Sequence, residues 1–272
     1  MDETTMAGGV GNDGEVVQVG AHILRPAGPH TPAVHALLYH VRTHGLMGVP
    51  AVVGIDPDGR ERLLYIAGEV ALPPFPTWSL TDRVLVTITK LLHRYHDAAS
   101  SFPIPADAVW NTELADPTPG PDPVVCHNDV CPENVVFRGA SATALIDFDF
   151  AAPGRRVWDV AAMARLCAPI ETAEDAARTG RGTLNPVRRL RVVADAYGLD
   201  EASRHDLLDA LTTQIDQRGE FVRRRVEAGQ PAFVAMWEAT GGQARYDRRQ
   251  AWFQAERAHF LDTLCRDLPP TP

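Results

Sequence analysis

Apolar positions recur along the chain at two different periods, and the switch between them divides it. Val16, Val17, Val19, Ile23 and Leu24 form a β-rich run. In the helix predicted over 31–44, Val34, Leu37, Leu38 and Val41 share one face, with Thr31 as cap, Pro32 in the first turn and Gly45 as stop. Two further strands are expected at 51–55 and 62–66, joined by the turn Asp56-Pro57-Asp58-Gly59. Gly68 then opens a stretch containing Pro73, Pro74 and Pro76, which cannot continue a sheet. Beyond it the period becomes helical over 79–99, and after 157 nearly all of the chain reads as helix. The pattern predicts an α+β architecture. A small β-rich N-lobe with one helix spans 1–67, and a larger, mainly helical C-lobe spans 68–272.

Composition changes little in that picture. The chain is 45% hydrophobic and 22% charged, as soluble globular proteins are. No apolar run reaches the roughly 18 residues of a membrane span, so no membrane partner is expected. The acidic start Met1-Asp2-Glu3 has neither the basic residues nor the apolar run of a signal peptide, which points to the cytoplasm. A formal charge of -9 argues against nucleic acid as partner. Cys126, Cys131, Cys167 and Cys265 form no C-x-x-C pair and read as free thiols.

The candidate chemistry lies in Cys126-His127-Asn128-Asp129-Val130-Cys131-Pro132-Glu133-Asn134 and in Ile146-Asp147-Phe148-Asp149. Short apolar strands at 135–137 and 144–146, with a turn at 139–143, should pair as a hairpin. Its base then sets Asn134 beside Asp147, with Asp129 on the loop before it. Asn134 and Asp147 offer hard oxygen ligands for magnesium. Asp129 can orient an acceptor hydroxyl and take its proton. Glu133 is expected to face solvent.

His127-x-Asp129-x4-Asn134, the segment Ile146-Asp147-Phe148-Asp149 and the following Trp158-Asp159-Val160-Ala161 together resemble the aminoglycoside phosphotransferase family, small-molecule relatives of protein kinases. The resemblance implies a protein-kinase-like bilobal fold, ATP or GTP with Mg2+ as cofactors, and phosphoryl transfer to a hydroxyl of a small molecule. It implies Asp129 as catalytic base, Asn134 and Asp147 as metal ligands, and His127 as a packed support. Asp149 is either a metal neighbour or a strand-end residue; Asp159 is a brace, a helix cap, or both. In the N-lobe it implies Gly9 and Gly11 over the phosphates, Arg25 where the family has a lysine, and Tyr65 and Ala67 at an adenine-binding hinge. Here the chain departs from the pattern. Its 31–44 helix has no acid to pair with Arg25, and His35 is the polar residue near that place. Between 95 and 160 acids far outnumber bases, which points to a cationic, amine-bearing acceptor. Trp237, Tyr246, Trp252 and Phe253 either line the acceptor pocket or belong to the core. The departures keep a rival open, a catalytically weak or inactive kinase-fold regulator.

Overall fold

The computed structural model describes residues 3–6 and 15–266. Gly9 and Gly11, assigned above to the phosphates, lie outside the described residues. The N-terminal part is an antiparallel sheet of β1 (Glu3–Thr5), β2 (Val17–Val19), β3 (His22–Pro26), β4 (Val52–Ile55) and β5 (Arg60–Leu64), in the order β1-β2-β3-β5-β4. The single helix α1 (Thr31–Thr43) buries Val34, Leu37, Leu38 and Val41, the face its periodicity predicts. Thr31 is not its cap. His30 occupies that position, and Thr31 Oγ1 instead accepts from the Gly28 N–H at 2.9 Å, closing the preceding turn. β1 escapes the pattern because its three residues are polar or charged and exposed. The expected strand at 62–66 begins earlier, since the Asp56 N–H donates to the Arg60 carbonyl at 2.8 Å and pulls Arg60 into the hairpin.

The C-terminal part begins with α2 (Asp82–Ala99), where the Thr81 hydroxyl accepts from the Val84 N–H. Its apolar face, Val84, Leu85, Ile88, Leu91, Leu92 and Tyr95, is fully buried, each such side chain contributing about 1.5–3 kcal/mol. Two small strand pairs lie against it: β6 (Val124–Cys126) with β9 (Ala152–Gly154), and the hairpin β7 (Val135–Arg138) with β8 (Ser141–Leu145). Then follow α3 (Arg156–Cys167), α4 (Ala173–Ala177), α5 (Pro186–Tyr197), α6 (Glu201–Glu227), α7 (Pro231–Thr240) and α8 (Gly242–Cys265). None of the described helices is long and apolar enough to cross a membrane.

The two parts are tied close to the hairpin. Glu69 and Phe137 exchange backbone hydrogen bonds of 2.9 and 2.7 Å. Gly68, at φ +156°, makes this approach possible, because an added Cβ would stand 2.6 Å from the Phe137 carbonyl oxygen.

Candidate active site

The hairpin base converges as its sequence predicts. The Ile146 N–H donates to the Asn134 carbonyl at 2.9 Å, which sets Asn134 against the start of the 146–149 segment. Asn134 Nδ2 donates to the Asp129 carbonyl at 3.0 Å and to Asp129 Oδ2 at 3.3 Å. Asn128 and Asp147 both take the left-handed conformation, at φ 66° and 64°. Asn and Asp tolerate that region best among non-glycine residues, and the two bends turn these segments toward each other.

The loop is held from inside by Asp159. This carboxylate is fully buried and accepts from the His127 N–H (2.7 Å), the Asn128 N–H (2.8 Å) and His96 Nε2 (3.0 Å). The helix it sits in is preceded by Arg155 at the cap position, so Asp159 is a brace and not a cap. Burial pushes its carboxyl up, but the hydrogen bonds from His96 and from the His127 N–H outweigh that and hold it below the usual range. Because Asp159 accepts at Nε2, the neutral His96 carries its proton there and receives the Tyr197 hydroxyl at Nδ1, at 2.6 Å. His127 is arranged alike. Its Nε2 donates to the Ile146 carbonyl at 3.0 Å, its Nδ1 faces the Asp129 N–H at 3.4 Å, and its ring packs on Phe148. His96, Cys126 and Asp159 lie close enough to suggest a metal group. Each is already engaged, Cys126 Sγ with the Arg155 carbonyl, and the three are a buried structural network.

Arg25 finds a partner that sequence reasoning missed. On β3 it stands directly across from Glu61 on β5, and Arg25 Nε donates to Glu61 Oε2 at 2.5 Å. His35 of α1 reaches the other oxygen of Glu61 at 2.7 Å. The acid absent from α1 is thus supplied by the neighbouring strand, with His35 linking helix to pair. Arg25 also donates to Asp147 Oδ1 at 2.9 Å and to Asp149, and these acids hold its guanidinium above its ordinary range against the opposing effect of burial. Burial, then the Asp149 charge, pushes the Asp147 carboxyl up. Asp149 is held down despite burial by His30, whose Nε2 lies 3.7 Å from its Oδ1, and by Arg25. His30 is a further site residue with no signal in the motif.

Burial raises the Glu61 carboxyl, but the His35 hydrogen bond and the Arg25 charge and hydrogen bond dominate and depress it. A depressed carboxyl adds stability that is present above the unfolded value near pH ~4.3 and lost as pH falls through the folded value. Glu61→Gln is therefore expected to lower unfolding free energy by ~1.5–3 kcal/mol near neutrality. Its deficit against the wild type should shrink in acid; urea midpoints across pH would show whether it does.

Two clefts meet at Glu133, Asn134 and Asp147. The smaller, about 190 Å³, lies under the sheet and is lined by Val16, Ile23, Arg25, Leu63, Tyr65 and Ile66. Tyr65 is there as expected, but Ala67 is not among its lining residues: the Ala67 carbonyl accepts from Arg138 Nε at 3.0 Å. The larger, about 590 Å³, opens on the other side of Asp129. Glu133 is not turned to solvent but lines both clefts, and burial pushes its carboxyl up. Of the four aromatic candidates, Tyr246 lines the larger cleft with Trp237 stacked on it at 5.4 Å, while Phe253 and Trp252 pack in the core.

A β-rich sheet with one helix, joined at a hairpin carrying three convergent polar side chains to a helical body, is the architecture of kinase-like phosphotransferases. Residues 70–193 match the model of the phosphotransferase enzyme family. The chain is 31% identical over 215 residues to the trifolitoxin immunity protein of Rhizobium leguminosarum bv. trifolii, covering 78% of this chain and 80% of that one. It belongs to the phosphotransferase enzyme family. Among solved structures it is similar in fold to a choline/ethanolamine kinase family protein from Mesorhizobium loti, with a TM-score of 0.63, 16% identity and coverage of 97% and 92% of the two chains. It is also similar in fold to an amicoumacin kinase solved with AMP-PNP and calcium, at a TM-score of 0.61, 13% identity and coverage of 96% and 88%.

Proposed function

We propose that the chain transfers the γ-phosphoryl group of ATP to a hydroxyl of a small molecule with Mg2+. The observation that carries this is the convergence of Asp129, Asn134 and Asp147 at the hairpin base, where two clefts meet. The division of labour follows the clefts, with 1–67 and the smaller cleft serving the nucleotide and 68–272 the acceptor. The apolar lining of the smaller cleft suits a planar base, with Tyr65 at its edge and Arg25 directed to the phosphates. The donor set fits magnesium: Asp147 offers carboxylate oxygens, and Asn134, whose Nδ2 is turned to Asp129, keeps its Oδ1 for a cation. Magnesium held there would neutralise charge on the transferred phosphoryl group. Asp129 orients the acceptor hydroxyl and accepts its proton; the new bond forms from that oxygen to the γ-phosphorus, the bond to the β,γ-bridging oxygen breaks, and ADP leaves.

An amine-bearing acceptor is not carried forward. Four of the acids that suggested it are engaged: Asp97 with Arg156, Asp116 with Arg155, Glu113 with Arg225 and Asp129 with Arg218.

The test is ADP release with Mg-ATP across hydroxylated small molecules, together with thermal stabilisation by Mg-ATP. Stimulation by at least one acceptor is expected. Asp147→Ala should lose the magnesium-dependent part of the stabilisation, and an unchanged shift would remove Asp147 from the metal site. One observation favours a second reading, a weak or inactive regulator: Arg25 already occupies Asp147 and Asp149. Mg-ATP binding without turnover on any acceptor would select it. The immunity named for the 31%-identical relative is compatible with either reading.

A further inference from the structure

The larger cleft has an unusual electrostatic lining. Its floor carries Arg165 from α3, Arg181, and Arg245 and Arg249 from α8. The acids set among these four are Glu171 and Asp175. Arg181 and Arg249 both donate to Glu171, at 2.8 and 2.5 Å, with Arg245 3.6 Å away. Arg245 Nε also stands 3.2 Å from Asp175, without hydrogen-bond geometry. Three of the four guanidinium groups thus share two carboxylates, and Arg165 hydrogen-bonds to neither.

Arg165 is the odd member. It is 7% exposed, and its Nε and Nη2 are buried with no hydrogen-bond partner. Burial, with Arg218 and Arg249 adding like charge, draws its guanidinium down to about 9. A buried, unpaired charge among like charges is costly, and it persists where a ligand completes it. Arg218 links this floor to the reacting centre, donating to Asp129 Oδ1 at 2.8 Å. The wall above is aromatic: the Phe221 ring lies beneath both Arg218 and Arg225, at 5.2 and 4.9 Å.

We propose that the acceptor is a hydroxylated oxyanion, whose carboxylate or phosphate group seats on Arg165 and Arg249 while its hydroxyl reaches Asp129. The planar guanidinium fork matches either group. The inference rests on the proposed phosphoryl transfer for its hydroxyl, but the anion seat can be tested without turnover.

Inorganic phosphate is the probe for the seat, titrated calorimetrically into nucleotide-free protein. Binding is expected, weakened at least tenfold in Arg165→Gln and Arg249→Gln and changed less than twofold in Arg25→Gln. No binding to the wild type, or loss in Arg25→Gln alone, overturns the seat, the latter assigning the anion to the nucleotide side. Thermal midpoints establish that the variants fold; Arg165→Gln removes an unpaired charge and should not melt below the wild type. The second arm follows ADP release with matched pairs, hydroxy acids and sugar phosphates against their neutral esters, amides and free sugars, with amino alcohols alongside. Anionic members should be preferred at least tenfold in kcat/KM. Arg165→Gln should raise their KM at least tenfold while leaving the KM for Mg-ATP unchanged. Preference for the amines or the neutral members, or an unaltered KM in Arg165→Gln, sinks the proposal. If no acceptor of any charge is turned over, the phosphoryl-transfer reading fails, and the phosphate titration alone decides the anion seat.

Discussion

Asp129→Asn is expected to reduce acceptor-stimulated ADP release by about 10²–10⁴-fold, the range a positioned general base contributes. The substitution keeps the shape of the side chain and an oxygen that can still accept from Arg218 Nη2 or Asn134 Nδ2. It removes the charge and the proton-accepting capacity. The loop should keep its shape because the Asp129 carbonyl contact with Asn134 is unaffected, while the loss of charge opposite Arg218 should lower stability modestly. Mg-ATP stabilisation should likewise survive, since Asn134 and Asp147 are untouched. Comparing kcat for the variant and the wild type at saturating Mg-ATP is the decisive measurement, and a loss smaller than tenfold would move the base elsewhere. The geometry adds one refinement. With Arg218 at 2.8 Å, the Asp129 carboxylate is paired with a cation before any substrate arrives.

What could be read from the chain depends on how local the determinants are. The 126–149 segment is legible because its chemistry is carried by neighbours in sequence. One hairpin with a short turn brings Asn134 and Asp147 together, although the register shift between Val136 and Phe137 leaves no mark in the apolar run. The face of α1 and the long apolar stripe of α2 are legible for the same reason. Glu61 is not. Its partnership with Arg25 spans 36 residues and depends on which strand lies beside β3, a matter of sheet order that no local pattern fixes. The arginine floor is hidden in another way. Arg165 stands in the apolar run 160–167, which marks a buried helix face, but no local pattern says what an arginine buried there would meet. Arg181 and, from α8, Arg245 and Arg249 come to the same cleft only through tertiary packing. The partners of the acid-rich 95–160 stretch are partly remote: Asp129 and Glu113 pair with Arg218 and Arg225 on α6, far along the sequence. His30 and Glu133 carry no periodic signal at all, since each owes its place to a turn.

Asp159→Ala is expected to have the largest effect on stability. The carboxylate is buried at 0% exposure and receives two backbone N–H groups and one imidazole N–H. Truncation strands all three donors in a dry interior and opens a small cavity, which together should cost ~3–5 kcal/mol. For a chain of this size that corresponds to a fall in melting temperature on the order of 10 °C. Asp159→Asn should sit between, because one oxygen can still accept from two donors while the amide nitrogen faces a third N–H. The same substitutions should depress kcat more than they raise the KM for Mg-ATP, since His127 and Asn128 anchor the loop that carries Asp129 and not the sheet proposed to hold the nucleotide. The pH dependence has a definite sign. The folded carboxyl lies below its unfolded value, so the wild-type advantage over Asp159→Ala is present above the ordinary carboxylate range and disappears as pH falls through the folded value. Denaturant midpoints of the two proteins converging in acid would support that account. A gap that stays constant with pH would instead assign the cost to the cavity and leave the Asp159 charge without a part in bracing the loop.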